Sequence, residues 1–252
     1  MHKTLIIGDV HGCIDELLEL MQQLAPSAND HIIFIGDLID RGPDSIGVLR
    51  QVVQWSKHFH VQLVLGNHEE KFLRYLHHIN DSSGFEKEMK GIDKFPDLLS
   101  GLNDDELLFL QHAHYSLHLP DLNVLLVHAG VMPRLAIPLP ASYRYNMDLS
   151  AHQKKTLGLL NKTRYLNSVG EFTVLKQESP EDLFWAEMYD GQWGHIYFGH
   201  QPFFQPEPKR FLHATGIDTG CVFGGWLSAV EISNEGVRHI AVPANKIYAI
   251  KK

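Results

Sequence analysis

Cysteine is scarce in this chain, with only Cys13 and Cys221 among 252 residues. Two cysteines are too few for a disulfide framework, and neither belongs to a CxxC or CxxH pair of the kind that binds zinc. We therefore expect both to be small buried or half-buried residues. Long apolar runs are missing as well, since none approaches the roughly 18 residues of a membrane span and the first is too short for a secretion signal. A cytoplasmic protein with no membrane partner is expected.

An excess of positive charge is also absent, because 22 Lys and Arg stand against 30 Asp and Glu, a formal net charge of −8. This balance argues against a stable complex with nucleic acid. Residues 131–176 depart from it, with seven basic side chains against Asp148 and Glu171, a local charge of +5. The seven are Arg134, Arg144, Lys154, Lys155, Lys162, Arg164 and Lys176. This segment is a candidate surface for a polyphosphate substrate.

Three strand-loop-helix units follow one another in the first third of the chain. Apolar runs at 3–8, 31–35 and 61–65 are typical of buried strands, and apolar residues at helical spacing follow each one. Asp44 is a candidate N-cap for a helix over about 44–56, and Pro26 is expected to end the first helix. This succession predicts an α/β fold with a largely parallel core.

The pattern weakens over 81–101 and then resumes. We interpret 81–101 as an insertion over the site, within one domain that spans residues 1–252. A helix is expected over 104–112, and strands are expected at 124–127 and 195–199. A closing hairpin is predicted around Asn234-Glu235-Gly236.

Residues with metal-binding chemistry stand at the ends of these strands. Asp9 and His11 are two positions apart on extended chain, so both side chains project to one side, and an oxygen with an imidazole suits Mn, Fe or Zn better than Ca or Mg. Asp37 ends the second strand, and Asn67, His128 and His200 end later ones. Six ligands exceed the need of one ion. Two divalent ions that share Asp37 account for the number, with Asp9 and His11 on one ion and Asn67, His128 and His200 on the other.

The residues beside these ligands suit phosphoryl transfer. Two metals about 3.5–4 Å apart activate water and clamp the oxygens of an in-line phosphoryl displacement. Arg41 carries a planar fork for phosphate. His68 is then available as a general acid, held as imidazolium by Asp40. Taken singly, each residue has an ordinary alternative: Asp9 as a helix N-cap, Asn67 as a turn former and Arg41 as a surface ion pair. Their joint occurrence after successive strands favours the metal site.

Five motifs together resemble the phosphoprotein phosphatase branch of the calcineurin-like metallophosphoesterases. They are Gly8-Asp9-Val10-His11-Gly12, Gly36-Asp37-Leu38-Ile39-Asp40-Arg41-Gly42, Gly66-Asn67-His68-Glu69, His128-Ala129-Gly130 and Gly199-His200. The resemblance implies two mixed β-sheets packed face to face, flanked by helices, with a dinuclear metal centre at one edge. It also implies the ligand division above, His68 as acid oriented by Asp40, and a second phosphate-binding Arg. Arg164 is the candidate and Arg144 the alternative.

Two substrates fit these motifs. The second half of the chain resembles the bacterial branch that includes symmetrical dinucleoside tetraphosphatases. This favours cleavage of diadenosine tetraphosphate into two ADP, with a base stacked on Tyr143, Tyr145, Tyr165 or Trp185. A Ser/Thr, or also Tyr, protein phosphatase is the alternative, because Asp40 is kept in protein phosphatases and missing from some tetraphosphatases. A catalytically inert scaffold is disfavoured because every ligand is present. Mn is the expected metal, with Fe, Zn or Co as alternatives.

Overall fold

The computed structural model describes residues 3–79, 89–135 and 137–250. Residues 81–88, with which the predicted insertion 81–101 begins, lie outside the described residues. Within them, no helix combines the length and the apolar content needed to cross a membrane.

The first sheet has five strands and carries the first three strands of the chain side by side. In spatial order they are β14 (Gly236–Pro243), β13 (Trp226–Ser233), β1 (Thr4–Ile7), β2 (His31–Phe34) and β3 (His60–Leu63). Strands β1, β2 and β3 are parallel, as predicted, while β13 runs antiparallel to β1 and forms the predicted hairpin with β14.

The second sheet has six strands. In spatial order they are β11 (Lys209–Arg210), β12 (Ala214–Gly216), β10 (His195–Phe198), β5 (Val124–Val127), β4 (His114–Leu119) and β6 (Tyr143–Arg144). Its central strands β5, β10 and β12 are parallel, and β4 is antiparallel to β5. A small antiparallel sheet lies outside this frame, in the order β8 (Phe172–Thr173), β7 (Tyr165–Leu166), β9 (Leu183–Phe184).

The two large sheets pack face to face. One apolar cluster joins Ile6 and Ile33 of the first sheet to Leu126 and Tyr197 of the second, all at most 6% exposed. Because side chains alternate along a strand, the neighbours of these residues point outward and pack under the helices. This arrangement confirms the predicted sandwich of two mixed sheets flanked by helices.

Seven α-helices lie among the described residues. They are α1 (Ile14–Leu24), α2 (Ser45–Ser56), α3 (Asn67–His78), α4 (Phe95–Gly101), α5 (Asp104–Gln111), α6 (Ala151–Leu157) and α7 (Trp185–Met188). The predicted N-cap of α2 is confirmed, because the Asp44 side chain accepts a hydrogen bond of 2.7 Å from the Gly47 amide. Helix α1 ends one residue earlier than the position of Pro26 requires, since Ala25 adopts a left-handed conformation with φ of 44°.

Part of the predicted insertion belongs to the core. Helix α4 buries Phe95 and Leu98, and the Phe95 ring meets that of Phe72 on α3 at 5.2 Å. The stretch 95–101 is therefore a packed helix. Both cysteines are free and buried, as predicted. That residues 1–252 form a single domain stays a prediction.

Candidate active site

The predicted ligands lie beyond the carboxyl ends of the parallel strands, in loops or, for Asn67, at the first residue of α3. Such loops are the usual ligand sites of α/β sheets. Five of the site residues have φ between 47° and 69°, a conformation that costs an L-residue free energy and that clusters at functional sites. They are His11, Asp37, Asp40, Arg41 and His200. A side chain at Gly36, whose φ is 106°, would collide with the His128 ring and the Gly66 backbone, so the loop admits only glycine there.

Asp37 lies at the centre of the site. Its Oδ2 is 3.5 Å from Nε2 of His11, 3.4 Å from Nε2 of His128 and 4.0 Å from Nε2 of His68. Burial alone would raise the pKa of Asp37, but the imidazoles of His128 and His68 hold it well below its ordinary value. Asp37 is the member common to two groups of potential ligands, one with His11 and His68 and one with His128 and His200.

The orientation of two imidazoles suits a cation. Nδ1 of His11 donates to the Ile39 carbonyl at 3.0 Å, and Nδ1 of His128 donates to the Ile35 carbonyl at 2.8 Å. Burial lowers the pKa of His11 to about 3, so the Nε2 atom of this neutral ring is an acceptor that faces the Asp37 carboxylate. At His128 the Asp37 carboxylate outweighs burial and raises the pKa to about 10, so this ring carries a proton that a metal ion would displace. A backbone carbonyl on the far nitrogen is a common way of fixing a metal-binding histidine. Two acceptors face to face are stabilised by a cation between them, and the residues therefore fit a divalent metal ion.

The second group of ligands is completed by an amide oxygen. Oδ1 of Asn67 lies 3.1 Å from Nε2 of His128 and 2.7 Å from Nδ1 of His200. Burial lowers the pKa of His200 well below its ordinary value, so this ring is neutral and able to bind a metal. The structure thus brings Asp37, Asn67, His128 and His200 together in one cluster.

Asp9 is buried in the site but lies outside both groups. Its two carboxylate oxygens accept from the His200 amide at 3.2 and 3.0 Å. Burial and the neighbouring carboxylate of Asp218 raise the pKa of Asp9 well above its ordinary value. His68 takes the place beside His11 and Asp37 that was expected for Asp9. The pairing of Asp9 with His11 on one ion stays a prediction.

His68 and Asp40 form a hydrogen-bonded pair. Nδ1 of His68 donates to Oδ2 of Asp40 at 2.7 Å, which leaves Nε2 directed toward Asp37. Burial opposes ionisation of Asp40, but the imidazole outweighs it and lowers the pKa of Asp40 to about 2. The ionised carboxylate fixes the ring, so that Nε2 is the atom from which a general acid at this position would donate.

The two predicted phosphate-binding arginines both border the site. Nη1 of Arg41 donates to Nε2 of His11 at 3.1 Å, and its guanidinium lies 5.3 Å from the centre of the Phe223 ring. Nη2 of Arg164 donates to the His200 carbonyl at 3.1 Å, and its buried Nε has no hydrogen-bond partner among the described residues. Arg144, the alternative, is exposed on β6. A cavity beside the site is lined by Arg41 and Arg164, and Arg144 is not among its described lining residues.

Comparison with known proteins identifies the family. The model of the calcineurin-like phosphoesterases matches residues 2–226. The chain belongs to this family. It is 33% identical over 242 residues to an asymmetrical bis(5'-nucleosyl)-tetraphosphatase of Oceanobacillus iheyensis, covering 90% of this chain and 87% of the relative. It is 30% identical over 261 residues to a symmetrical bis(5'-nucleosyl)-tetraphosphatase of Ralstonia nicotianae, covering 90% of this chain and 88% of the relative.

A solved structure agrees with these relatives. A protein described as a candidate diadenosine tetraphosphatase superposes with a TM-score of 0.71 at 25% identity, covering 96% of this chain and 93% of the other. The chain is therefore a phosphoesterase of a metal-dependent hydrolase family, and the predicted family resemblance is confirmed.

Glu69 is a site residue of this phosphoesterase for which the sequence predicted no role. It is 0% exposed, and its carboxylate accepts from the amides of Asp37, Leu38, Ile39 and Gly66 at 2.7 to 3.2 Å. It therefore holds the loop of the central aspartate against the start of α3. The sequence did carry one signal for this role, a Glu at the third position of α3, which can accept from the amide of the N-cap residue. The N-cap is Gly66, however, which has no side chain to complete a capping box.

Asp218 is the second such residue. It follows β12 and is 5% exposed, and its Oδ1 accepts from the Gly220 amide at 2.9 Å. Burial raises its pKa to about 6, and the Asp37 carboxylate contributes to the rise. It repeats the pattern of an acid at a strand end, but the short β12 gave a weak strand signal.

A cavity of about 900 Å³ adjoins the site and is lined by Asn67, His200 and both arginines. Of the seven basic residues of 131–176, only Lys162 and Arg164 line it. Lys71 and Arg74 of α3 line it as well. The expected surface is thus formed by two distant segments.

The predicted base-stacking aromatics divide in the same way. Tyr165 lines the cavity. Trp185 is 0% exposed, with its ring 4.9 Å from that of Phe198, and therefore belongs to the core. Tyr143 and Tyr145 are not among the residues that line the cavity.

Proposed function

We propose that this phosphoesterase hydrolyses dinucleoside tetraphosphates. The observation that carries the proposal is the cavity, because a basic wall and apolar side chains meet beside the predicted metal ligands. Arg41 and Arg164 provide cationic groups, while Tyr165, Phe172 and Phe223 provide apolar surface. A ligand with several phosphates and a flat base matches both surfaces.

The residues of the chain divide the chemistry between them. Arg41 and Arg164 hold oxygens of the attacked phosphoryl group by charge-assisted hydrogen bonds. His68 donates the proton on Nε2 to the oxygen of the leaving nucleotide as the P–O bond breaks. A water oxygen becomes bonded to phosphorus and releases one proton to solvent, from which His68 regains its own after the products leave. Asp40 accepts from Nδ1 of His68 and so orients the ring with Nε2 toward the reacting group.

Two divalent ions complete the proposed site. Asp9 and His11 would hold one and Asn67, His128 and His200 the other, with Asp37 shared between them. Bound there, divalent ions lower the pKa of water and neutralise phosphate oxygens. Mn is the metal we propose, with Fe, Zn or Co as alternatives for the same mixed oxygen and nitrogen donors.

A direct comparison of two substrates tests the proposal. The protein is assayed with Mn²⁺ on diadenosine tetraphosphate and on a phosphoserine or phosphothreonine peptide, and kcat/KM is compared. We expect the nucleotide to be hydrolysed with the higher efficiency. No hydrolysis of the nucleotide, together with good turnover of the peptide, would refute the proposal.

The position of cleavage is read from the products. We propose symmetrical cleavage, which gives ADP alone. Relatives of similar identity carry both the symmetrical and the asymmetrical name. Chromatography that finds ATP and AMP in equal amounts would replace the symmetrical proposal with asymmetrical cleavage and leave the substrate class unchanged.

A protein phosphatase is the second candidate. The observation in its favour is the hydrogen bond of 2.7 Å between His68 and Asp40, because an alkoxide leaving from a phosphoserine needs a proton more than a leaving phosphate does. Higher kcat/KM on the peptide in the assay above would favour this function.

A further inference from the structure

Helix α3 presents a row of side chains to the cavity. Asn67, Glu70, Lys71 and Arg74 all line it, at the spacing of three, four and seven residues that places side chains on one helix face. With a rise of about 1.5 Å per residue, Lys71 and Arg74 lie about 6 and 10 Å along the helix axis from Asn67. The row therefore begins at the predicted metal ligands and continues away from them.

Lys162, from a distant segment of the chain, also lines the cavity and lies against this row. Its Nζ lies 3.0 Å from Oε2 of Glu70, so an ion pair joins the two segments. The described lining carries five basic side chains, Arg41, Lys71, Arg74, Lys162 and Arg164, against the two carboxylates of Glu70 and Glu178. A concentration of positive charge in a chain of net charge −8 indicates an anionic ligand.

The cations of α3 are held close together. Nζ of Lys71 donates to the Gly91 carbonyl at 2.8 Å, which fixes the ammonium beside the cavity. Burial lowers the pKa of Lys71, Asp40 opposes the change, and repulsion by Arg74 adds to it. Like charges one turn apart on a helix destabilise it, so a bound anion would relieve this repulsion.

We infer that Lys71, Arg74 and Lys162 bind the phosphates that lie beyond the attacked phosphoryl group. The inference rests on the proposed function and adds the residues that select a polyphosphate over a monoester. One phosphoryl group is served by Arg41, Arg164 and the predicted metals. The three further cations have no partner in a monoester, whereas the rest of a polyphosphate chain would lie along them.

Binding of two inorganic anions tests this assignment without reference to turnover. Tripolyphosphate and orthophosphate are titrated calorimetrically into the metal-loaded protein at constant free Mn²⁺. For Arg74→Gln we expect tripolyphosphate to bind about 10- to 100-fold more weakly, since one charge-assisted contact is lost. The ratio of the two affinities should fall by a similar factor. An unchanged ratio would overturn the inference.

A substitution of opposite sign sharpens the test. Glu70→Gln removes the carboxylate that neutralises Lys162, and tripolyphosphate should then bind up to about fivefold more tightly. Unchanged binding would show that the cation released from Glu70 does not reach the anion, which contradicts the assignment of Lys162 to the ligand.

Lys154→Gln is the matched control, because Lys154 is an exposed cation of the same basic segment on α6 and does not line the cavity. Both affinities should equal those of the parent. An equal loss in Lys154→Gln and Arg74→Gln would reduce the effect to overall charge and overturn the inference. Failure of the parent to hydrolyse diadenosine tetraphosphate would refute the proposed function, whereas the tripolyphosphate ratio tests this surface by itself.

Discussion

Glu69 and Glu231 are both buried glutamates, 0% and 4% exposed, but their charges are stabilised in different ways. Glu231, on β13, accepts hydrogen bonds from Nε and Nη2 of Arg238 at 2.8 Å each and pairs with Nζ of Lys3 at 3.2 Å. These cations lower its pKa, with the Arg238 hydrogen bonds as the largest cause. Glu69 accepts hydrogen bonds from backbone amides, with no cationic partner among the described residues. Burial and the neighbouring Asp37 carboxylate raise the pKa of Glu69 to about 7.

The difference separates the framework from the site. The hairpin of the first sheet pairs its buried carboxylate with cations of the same chain. The site gathers four carboxylates, each at most 5% exposed: Asp9, Asp37, Glu69 and Asp218. Their hydrogen bonds and ion pairs to described residues go to backbone amides and to imidazoles. Buried negative charge of this density is expensive unless cations compensate it. Imidazoles compensate part of this charge at Asp37. We therefore expect the site to depend on bound ions more than the framework does.

The largest expected effect is a loss of turnover without a loss of metal. His68→Ala should lower kcat on diadenosine tetraphosphate by about 10²- to 10⁴-fold if His68 is the general acid. Metal content should stay that of the parent, because the six predicted ligands are untouched. His77→Ala, on the exposed side of α3, is the control and should leave kcat unchanged. Loss of a metal ion from His68→Ala would place His68 among the ligands, beside His11 and Asp37.

Removal of metal tests the dependence of the site directly. Free metal at several hundred times its Kd should raise the free energy of unfolding by about 3–4 kcal/mol over that of the chelated protein. The gain should be larger at pH 8 than at pH 5, because the raised pKa values of Asp9 and Asp218 make protons compete with the ion at low pH. Urea unfolding at both pH values measures it. Equal stability with and without metal would contradict the account.

Glu69→Gln changes the site without touching a predicted ligand. The amide cannot accept at both positions, so buried backbone N–H groups lose their partner at a cost of about 2–3 kcal/mol. Because the folded pKa of about 7 lies above the unfolded value, Glu69 stabilises the metal-free protein at low pH and loses this effect as pH rises through 7. The loss in Glu69→Gln should thus be larger at pH 5 than at pH 8. Glu106→Gln, which alters the cap of α5, is the control and should leave metal affinity unchanged.

Glu231→Gln should have the smallest effect and the opposite pH dependence. We expect a loss of about 1 kcal/mol at pH 7, since Arg238 is half exposed and the pair is partly screened. The folded pKa lies below the unfolded value of about 4.3, so this stability is present above that value and disappears as pH falls through the folded pKa. Urea unfolding between pH 3 and 7 measures it. A loss that grows as pH falls would reverse the assigned sign.

The strands and the residues at their ends could be predicted because each signal is local. The run before Asp37 is apolar and short, and a polar motif follows it at once. The parallel pairing of β1, β2 and β3 then brings these ends to one edge. Chain order and the loop rule for α/β sheets were therefore sufficient to gather the candidate ligands.

The role of Glu69 and the lining of the cavity could not be predicted in this way. Glu69 accepts hydrogen bonds from amides about 30 positions earlier in the chain. Arg74 resembles an ordinary exposed helix residue until the other residues that line the cavity are known. The role of Lys162 depends on its contact with Glu70, 92 positions away in sequence. Such roles arise from tertiary packing, which a local pattern does not encode. Residues 131–176 were overestimated for the same reason, because charge along the chain does not indicate the direction of a side chain.

The number of metal ions per chain is the measurement closest to the central claim. The protein is loaded with Mn²⁺, desalted and analysed for metal by mass spectrometry, together with Asp37→Asn. We predict two ions per chain in the parent and a loss of more than one ion in the variant, because Asp37 is shared. One ion or none in the parent, or two ions retained by Asp37→Asn, would contradict a site built around a bridging carboxylate.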